Sequence, residues 1–290
     1  MEGKKNDKKS MAMLVTSMTI WGSIGIFRRY IPLPSSVLAA SRGVIGTLFL
    51  ALFLKLRGRD VKISMSPKHV LWYAVAGAIM AFNWMLLFDA YNYTSVAIAT
   101  LCYYMMPVFV TLASAVLFKE KLTVRKLICV LVCLFDMLLV TGVVGSGLPG
   151  PGEAKGILMG LGAAVLYAAV VLMNKKVSGV DPFEKTSVQL LASSAALVPY
   201  LLLTVRPDAL QLSGTALAML LVVGIVHTGI PYVLYFGCID GLRAQTVALF
   251  SYIDPIVAVL LSALLLGESM SVLSMIGVVL VIGGAIVSEL

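Results

Sequence analysis

Charge is what this chain has least of. Asp, Glu, Lys and Arg make up only 12% of its 290 residues, where a soluble domain carries about 25%. Hydrophobic residues make up 60%, and the mean hydropathy is +1.00. So few charges cannot cover so much apolar surface in water, which excludes an ordinary soluble domain and makes the solvent largely lipid. Histidine is almost absent: only His69 and His227 occur, and no H-E-x-x-H spacing appears, so no metal site is expected. No P-loop sequence is present, so ATP does not drive this chain directly. The four cysteines, Cys102, Cys129, Cys133 and Cys238, all lie inside apolar runs and form no disulfide framework. Cys129 and Cys133 are one helical turn apart, but small buried hydrophobes are the simpler reading than soft-metal ligands. The period-two alternation of a membrane barrel is also missing. Helices are therefore the default spanning structure, because lipid requires backbone groups to be satisfied within the segment.

What is there instead is a succession of long apolar runs. Ten spans are predicted, at 11–30, 35–55, 68–89, 95–117, 124–143, 155–173, 185–204, 214–237, 244–265 and 271–289, each near the ~20 residues needed to cross a bilayer. The first follows a basic start, MEGKKNDKKS. It is too long for a signal-peptide core and is read as a retained helix. One longer link, GVVGSGLPGPGEAKG at 142–156, is rich in Gly and Pro and marks the boundary between two halves. The expected organisation is a basic N-terminus at 1–10, a five-helix unit at 11–143, a linker at 144–154 and a second five-helix unit at 155–290.

The halves are related. Residues 101–130 read LCYYMMPVFVTLASAVLFKEKLTVRKLICV, and 148 positions later residues 249–278 read LFSYIDPIVAVLLSALLLGESMSVLSMIGV, with eleven of thirty positions identical and no gap. Tyr104 falls on Tyr252, Pro107 on Pro255, Ser114 on Ser262 and Glu120 on Glu268. Phe88 falls on Phe236 at the same shift, and Trp21 on Tyr167 at a shift of 146. A repeat of this length makes the unit half the protein and not a solenoid.

Basic residues set the orientation. With both termini in the cytoplasm, the cytoplasmic segments hold 17 Lys and Arg, the outer ones hold four (Arg28, Arg29, Lys155, Arg206), and Arg42 lies within a span. That asymmetry is a strong positive-inside signal. The net charge of +8 thus belongs to loops beside an anionic leaflet, not to a nucleic-acid surface. Five spans per half is an odd number, so the second half enters the membrane from the opposite side. The expected fold is an all-α integral membrane protein of ten transmembrane helices in two inverted five-helix repeats. Secondary transporters recurrently use that arrangement, because two similar halves can exchange conformations about a central site.

At these residues the chain resembles the EamA-type members of the drug/metabolite transporter superfamily. The resemblance rests on two five-span repeats, the proline-containing fourth and ninth spans, and the hairpins FKEKLT at 118–123 and LGESMS at 266–271. It implies a multi-pass carrier of the bacterial cytoplasmic (inner) membrane that moves amino acids, nucleosides or drug-like metabolites, often outward. It also implies no catalytic centre, no nucleotide site and no cofactor. In some members the last span forms dimer contacts, which keeps a homodimer open here. The second hairpin has Gly267 and Ser269 where the first has Lys119 and Lys121.

Polar groups inside spans each require a reason, and they supply the candidate site. Asp254, just before Pro255, offers a carboxylate beside a backbone carbonyl that proline leaves unpaired; its twin is Met106. Pro107 and Pro255 are the expected helix breaks. His227 could relay protons or simply pack. Together with Asp254 it makes proton coupling conceivable, and facilitated diffusion fits equally well. Arg42 either grips a substrate carboxylate or snorkels to the outer surface. Asn83 with Trp84, Pro231 with Tyr232, and Trp21 with Tyr167 occupy equivalent depths in the two halves, and Tyr103, Tyr104 and Tyr252 flank the two prolines. These aromatics suit a lined cavity bounded by spans one, three, four, six, eight and nine. Asp136 is read as structural. Glu120 and Glu268 are read as caps on the helices that follow them, and Gly156, Gly160, Gly283 and Gly284 as sites of close helix contact. Two other classes compete: a membrane-embedded lipid-modifying enzyme, which would need convergent His, Asp, Ser or Cys near an interface, and a channel or accessory subunit.

Overall fold

The computed structural model describes residues 2–59, 63–117, 149–177, 179–206, 213–238 and 253–268, with isolated positions between them. Most of the fifth and tenth predicted spans and the start of the ninth lie outside the described residues, as do Glu120, Asp136, Cys129, Cys133, Tyr252 and Gly284.

The described residues are helical throughout, with no strand. In chain order the helices are α1 (Glu2–Gly22), α2 (Ile24–Arg29), α3 (Ser35–Leu56), α4 (Pro67–Ala90), α5 (Val96–Tyr103) and α6 (Met106–Leu117). After the link come α7 (Pro151–Lys176), α8 (Pro182–Thr204), α9 (Gly214–Gly224), a π-helical turn (Ile225–Gly229), α10 (Ile230–Cys238) and α11 (Ile253–Leu266). Among the described residues, seven stretches are long and apolar enough to cross a membrane: Lys8–Arg29, Ser35–Leu56, Pro67–Ala90, Val96–Leu117, Pro151–Asn174, Pro182–Thr204 and Gly214–Tyr235. Ile253–Leu266 is a shorter apolar helix.

Local chemistry sets the helix starts. Ser66, Ser95, Ser213 and Asp181 are N-caps whose side chains accept the amides of His69, Ile98, Ala216, and both Phe183 and Glu184, respectively. Each satisfies a donor that the first turn leaves unpaired. Pro67, Pro151 and Pro182 stand in first turns, where a missing N–H costs nothing. Pro151 starts its helix earlier than the composition of 144–154 indicated: Pro151 to Ala154 are helical, with Glu153 favourably placed against the helix N-terminus.

Among the described residues most of the packing runs between the halves, though α3 also lies against α4. α4 lies against α7 and α8, α3 against α8 and α9, α1 against α10 and α11, α5 and α6 against α7, and α5 also against α11. The main core, with Leu38, Trp84, Phe88, Ala163, Leu190 and Val223, draws on both halves. Large apolar side chains such as Leu48, Val116, Leu202, Leu203 and Leu264 face outward, as they do where the surroundings are lipid. Glycines let the backbones close on one another. A Cβ on Gly77 would stand 2.8 Å from the Cα of Gln189, and one on Gly46 would stand 2.7 Å from the methyl carbon of Thr228. A Cβ on Gly156 would stand 2.9 Å from Thr94 and one on Gly160 3.0 Å from Cys102, whereas Gly283 faces open space among the described residues.

Candidate functional site

Among the described residues three spans are interrupted, and the polar residues gather at the interruptions. The first span turns at Ser23, between α1 and α2. The fourth turns at Tyr104–Met105, between α5 and α6. Pro107 therefore lies just past the discontinuity, in the first turn of α6, and Pro255 lies in the first turn of α11. In the eighth span the helix widens into the π turn. There Thr228 Oγ1 donates to the carbonyl of Val223 at 3.0 Å, five residues back. Such turns often mark functional sites.

Arg42 is held at that π turn. Its Nε donates to Thr228 Oγ1 at 3.0 Å and its Nη2 to the carbonyl of His227 at 3.4 Å. The guanidinium lies over Trp84, 4.0 Å from the ring centroid, and 5.5 Å from that of Phe88. Only 5% of the residue is exposed, so it has turned into the bundle and does not snorkel. His227 is buried too. Its Nε2 lies 3.0 Å from Ser23 Oγ, and its ring stands 4.5 Å from that of Phe27.

An aromatic array continues from this point. Trp21 packs edge-on to Tyr232, with centroids 5.5 Å apart. Tyr103 stacks on Tyr167 at 5.3 Å and 7°. Tyr103 also donates from its hydroxyl to Asn83 Oδ1 at 3.5 Å, and Asn83 Nδ2 donates to the carbonyl of Ala163 at 2.5 Å. Asp254 is joined to Tyr104 by a side-chain hydrogen bond. Tyr91, Tyr103 and Tyr232 lie within electrostatic reach of Arg42, while Tyr103, Tyr104 and Tyr167 lie within reach of Asp254. Tyr103 thus links the basic and the acidic ends. The structure brings together Trp21, Arg42, Asn83, Trp84, Tyr103, Tyr104, Tyr167, His227, Tyr232 and Asp254. Tyr252 lies outside the described residues. Ser23, Phe27, Thr228 and Tyr235 also belong to the group; a Ser or Thr within an apolar run was the only signal for Ser23 and Thr228, and Phe27 and Tyr235 gave none.

One end of the bundle is tied by Glu268. Its carboxylate accepts the amide of Val96 (2.9 Å to Oε2, 3.1 Å to Oε1), the amide of Ala97 at 3.4 Å, Arg29 Nη2 at 2.9 Å and the hydroxyl of Ser262. It is a cap on α5, in the other half of the chain; the start of the helix that follows it lies outside the described residues. Lys119, two residues past the Leu117 end of the same span, lies at the opposite end from Glu268.

The family of this architecture follows from comparison. The model of the EamA-like transporter family matches residues 8–142 and again 154–290. The chain belongs to the EamA-like transporter family. An uncharacterized transporter of Bacillus subtilis (strain 168), YxxF, is 30% identical over 97% of this chain and 89% of its own length. Protein RarD of Salmonella typhi is 24% identical, over 91% and 88% respectively. A crystal structure of another protein superposes with a TM-score of 0.69 over 97% of this chain and 96% of that one, at 22% identity, which shows a shared fold. The EamA model thus matches this chain twice, and the site described above draws residues from both matched segments.

Proposed function

We propose that this EamA-family transporter is a secondary carrier working by alternating access, in which two inverted five-helix halves enclose a common site for a small metabolite. The observation that carries this reading is the packing pattern. α1–α2 form the first span, α3 the second, α4 the third, α5–α6 the fourth, α7 the sixth, α8 the seventh, α9–α10 the eighth and α11 the ninth. Advance each span by five places, and the contact of first with eighth becomes sixth with third. First with ninth becomes sixth with fourth, and second with eighth becomes seventh with third. All of these contacts are present, and second–seventh and fourth–ninth map onto themselves. An exchange symmetry of this kind lets the halves swap conformations, so that a site between them opens to one side and then the other. Further support comes from Lys119 and Gly267, equivalent in the repeat, which share a left-handed backbone (φ 55° and 64°).

The site lined by Trp21, Arg42, Asn83, Trp84, Tyr103, Tyr104, Tyr167, His227, Tyr232 and Asp254, with Tyr252 added by symmetry, is proposed to hold the solute. Its mix of aromatic faces and few polar groups is the usual make-up of a small-molecule site. The family resemblance and the basic-residue asymmetry favour the cytoplasmic membrane, both termini inside and export as the direction. Purified protein in liposomes tests the reading. Flux should saturate with solute and show counterflow, and substitution of Asp254, Trp84 or Tyr252 should impair it. Flux without saturation or counterflow would indicate a channel, and undiminished transport in all three variants would refute the placement of the site.

A further inference from the structure

The site holds a cation that no carboxylate among the described residues pairs with. Arg42 lies seven residues past Ser35, the start of α3, or about 10 Å along the helix at 1.5 Å per residue. Its partners are Thr228 Oγ1, the His227 carbonyl and the faces of Trp84 and Phe88. Every one of them is neutral. The one ion pair among the described residues joins Arg29 to Glu268, and Asp254 is joined to Tyr104 instead. A charge at such depth in a membrane is costly unless an opposite charge meets it. If Arg42 only held helices together, a neutral side chain of similar volume would do so at lower cost.

The geometry also looks like a prepared receptor. The guanidinium lies over the rings of Trp84 and Phe88. Thr228, itself fixed by its bond to Val223, takes Nε. Two hydrogen bonds leave the other N–H donors of the fork unused, and a planar fork matches a carboxylate or phosphate in two parallel bonds. Resting on the carrier reading above, we propose that Arg42 is the specificity-determining anchor for an oxyanionic group, carboxylate or phosphate, on the transported solute. Selection then occurs at one end of the site: solutes with the oxyanion are held, and neutral or purely cationic analogues leave the buried charge unmatched.

The test works with a mixture of candidate solutes. Liposomes containing wild-type protein, Arg42→Gln or Arg42→Lys, and empty liposomes, are loaded with a deproteinised aqueous extract of bacterial cells. Solute release is then followed by mass spectrometry. Solutes released by the wild type beyond the empty control should carry a carboxylate or phosphate. Arg42→Gln should slow their release roughly tenfold to a hundredfold, the loss expected from one charge-assisted hydrogen-bonded pair. Arg42→Lys keeps the charge without the fork and should fall between. If wild-type solutes lack an oxyanion, or Arg42→Gln releases the same solutes at the same rates, the anchor is overturned while the carrier reading stands. If wild type releases nothing beyond the control, the carrier reading fails and takes the anchor with it. Should Arg42→Gln not fold, Arg42→Lys decides: release slowed at least severalfold supports the anchor, and unchanged release overturns it.

Discussion

Replacing Glu268 separates two roles that one carboxylate combines. Its oxygens accept the amides of Val96 and Ala97, two residues with no exposed surface. Glu268→Ala leaves those donors without an acceptor, at about 1–3 kcal/mol for each buried group left unpaired. Its ion pair with Arg29 has one partner 39% exposed, and such pairs contribute at most about 1 kcal/mol. The alanine variant should therefore lose about 3 kcal/mol or more, and Arg29→Gln under about 1 kcal/mol. Glu268→Gln keeps one acceptor oxygen for the helix start and should fall between. Thermal unfolding in a mild detergent, followed by loss of the monodisperse peak, ranks the three. At about 2–4 °C per kcal/mol for a chain near this size, the alanine variant should unfold several degrees below Arg29→Gln. Equal losses, or a larger loss for Arg29→Gln, would refute the reasoning, because the ion pair and not the cap would then be what ties α11 to α5.

Three further outcomes follow from particular contacts. Lys119→Gly removes a left-handed lysine (φ 55°) and should stabilise the protein by about 1 kcal/mol in the same unfolding assay, since that conformation costs an L-residue about 1–2 kcal/mol. Gly77→Ala places a methyl against the Gln189 backbone, which cannot yield as a side chain would; it should destabilise by about 1–3 kcal/mol, as overpacking does, and lower the yield of folded protein. Thr228→Val deletes both the acceptor for Arg42 Nε and the bond to Val223. It should cost about 1–3 kcal/mol and shift Trp84 fluorescence, because the guanidinium over that ring loses its fixed position.

Much of the frame was legible from hydropathy alone. The spans predicted at 35–55, 68–89 and 214–237 correspond to Ser35–Leu56, Pro67–Ala90 and Gly214–Tyr235; for the last two, an apolar run opened by Ser-Pro or Ser-Gly states both its length and its cap. Candidate residues were legible where a costly group stood in an apolar run, as with Arg42, Asp254 and His227. The interruptions were not legible. Nothing in IVHTG announces a π turn: Thr228 bonds Val223 within the span, and Gly224 and Gly229 admit Ile45 and Phe49 from α3, a tertiary fact that the local sequence does not carry. Proline at 107 pointed near the break in the fourth span, but the break falls at Tyr104–Met105, because proline is best accommodated in the first turn after it. Glu268 was recognised as a cap from its hairpin, yet its partner lies 172 residues earlier. Local sequence has no means of naming it.

The central claim is that equivalent elements of the two halves lie on opposite faces of the membrane. Single cysteines at Lys119 and Gly267, in a background with the four native cysteines replaced, test it with a membrane-impermeant maleimide applied to intact cells and to inverted vesicles. A cysteine at 267 has open space around it and costs about 1–2 kcal/mol in that backbone conformation. The account predicts that Gly267→Cys reacts in intact cells and Lys119→Cys only in inverted vesicles. Reaction of both from the same face would contradict it.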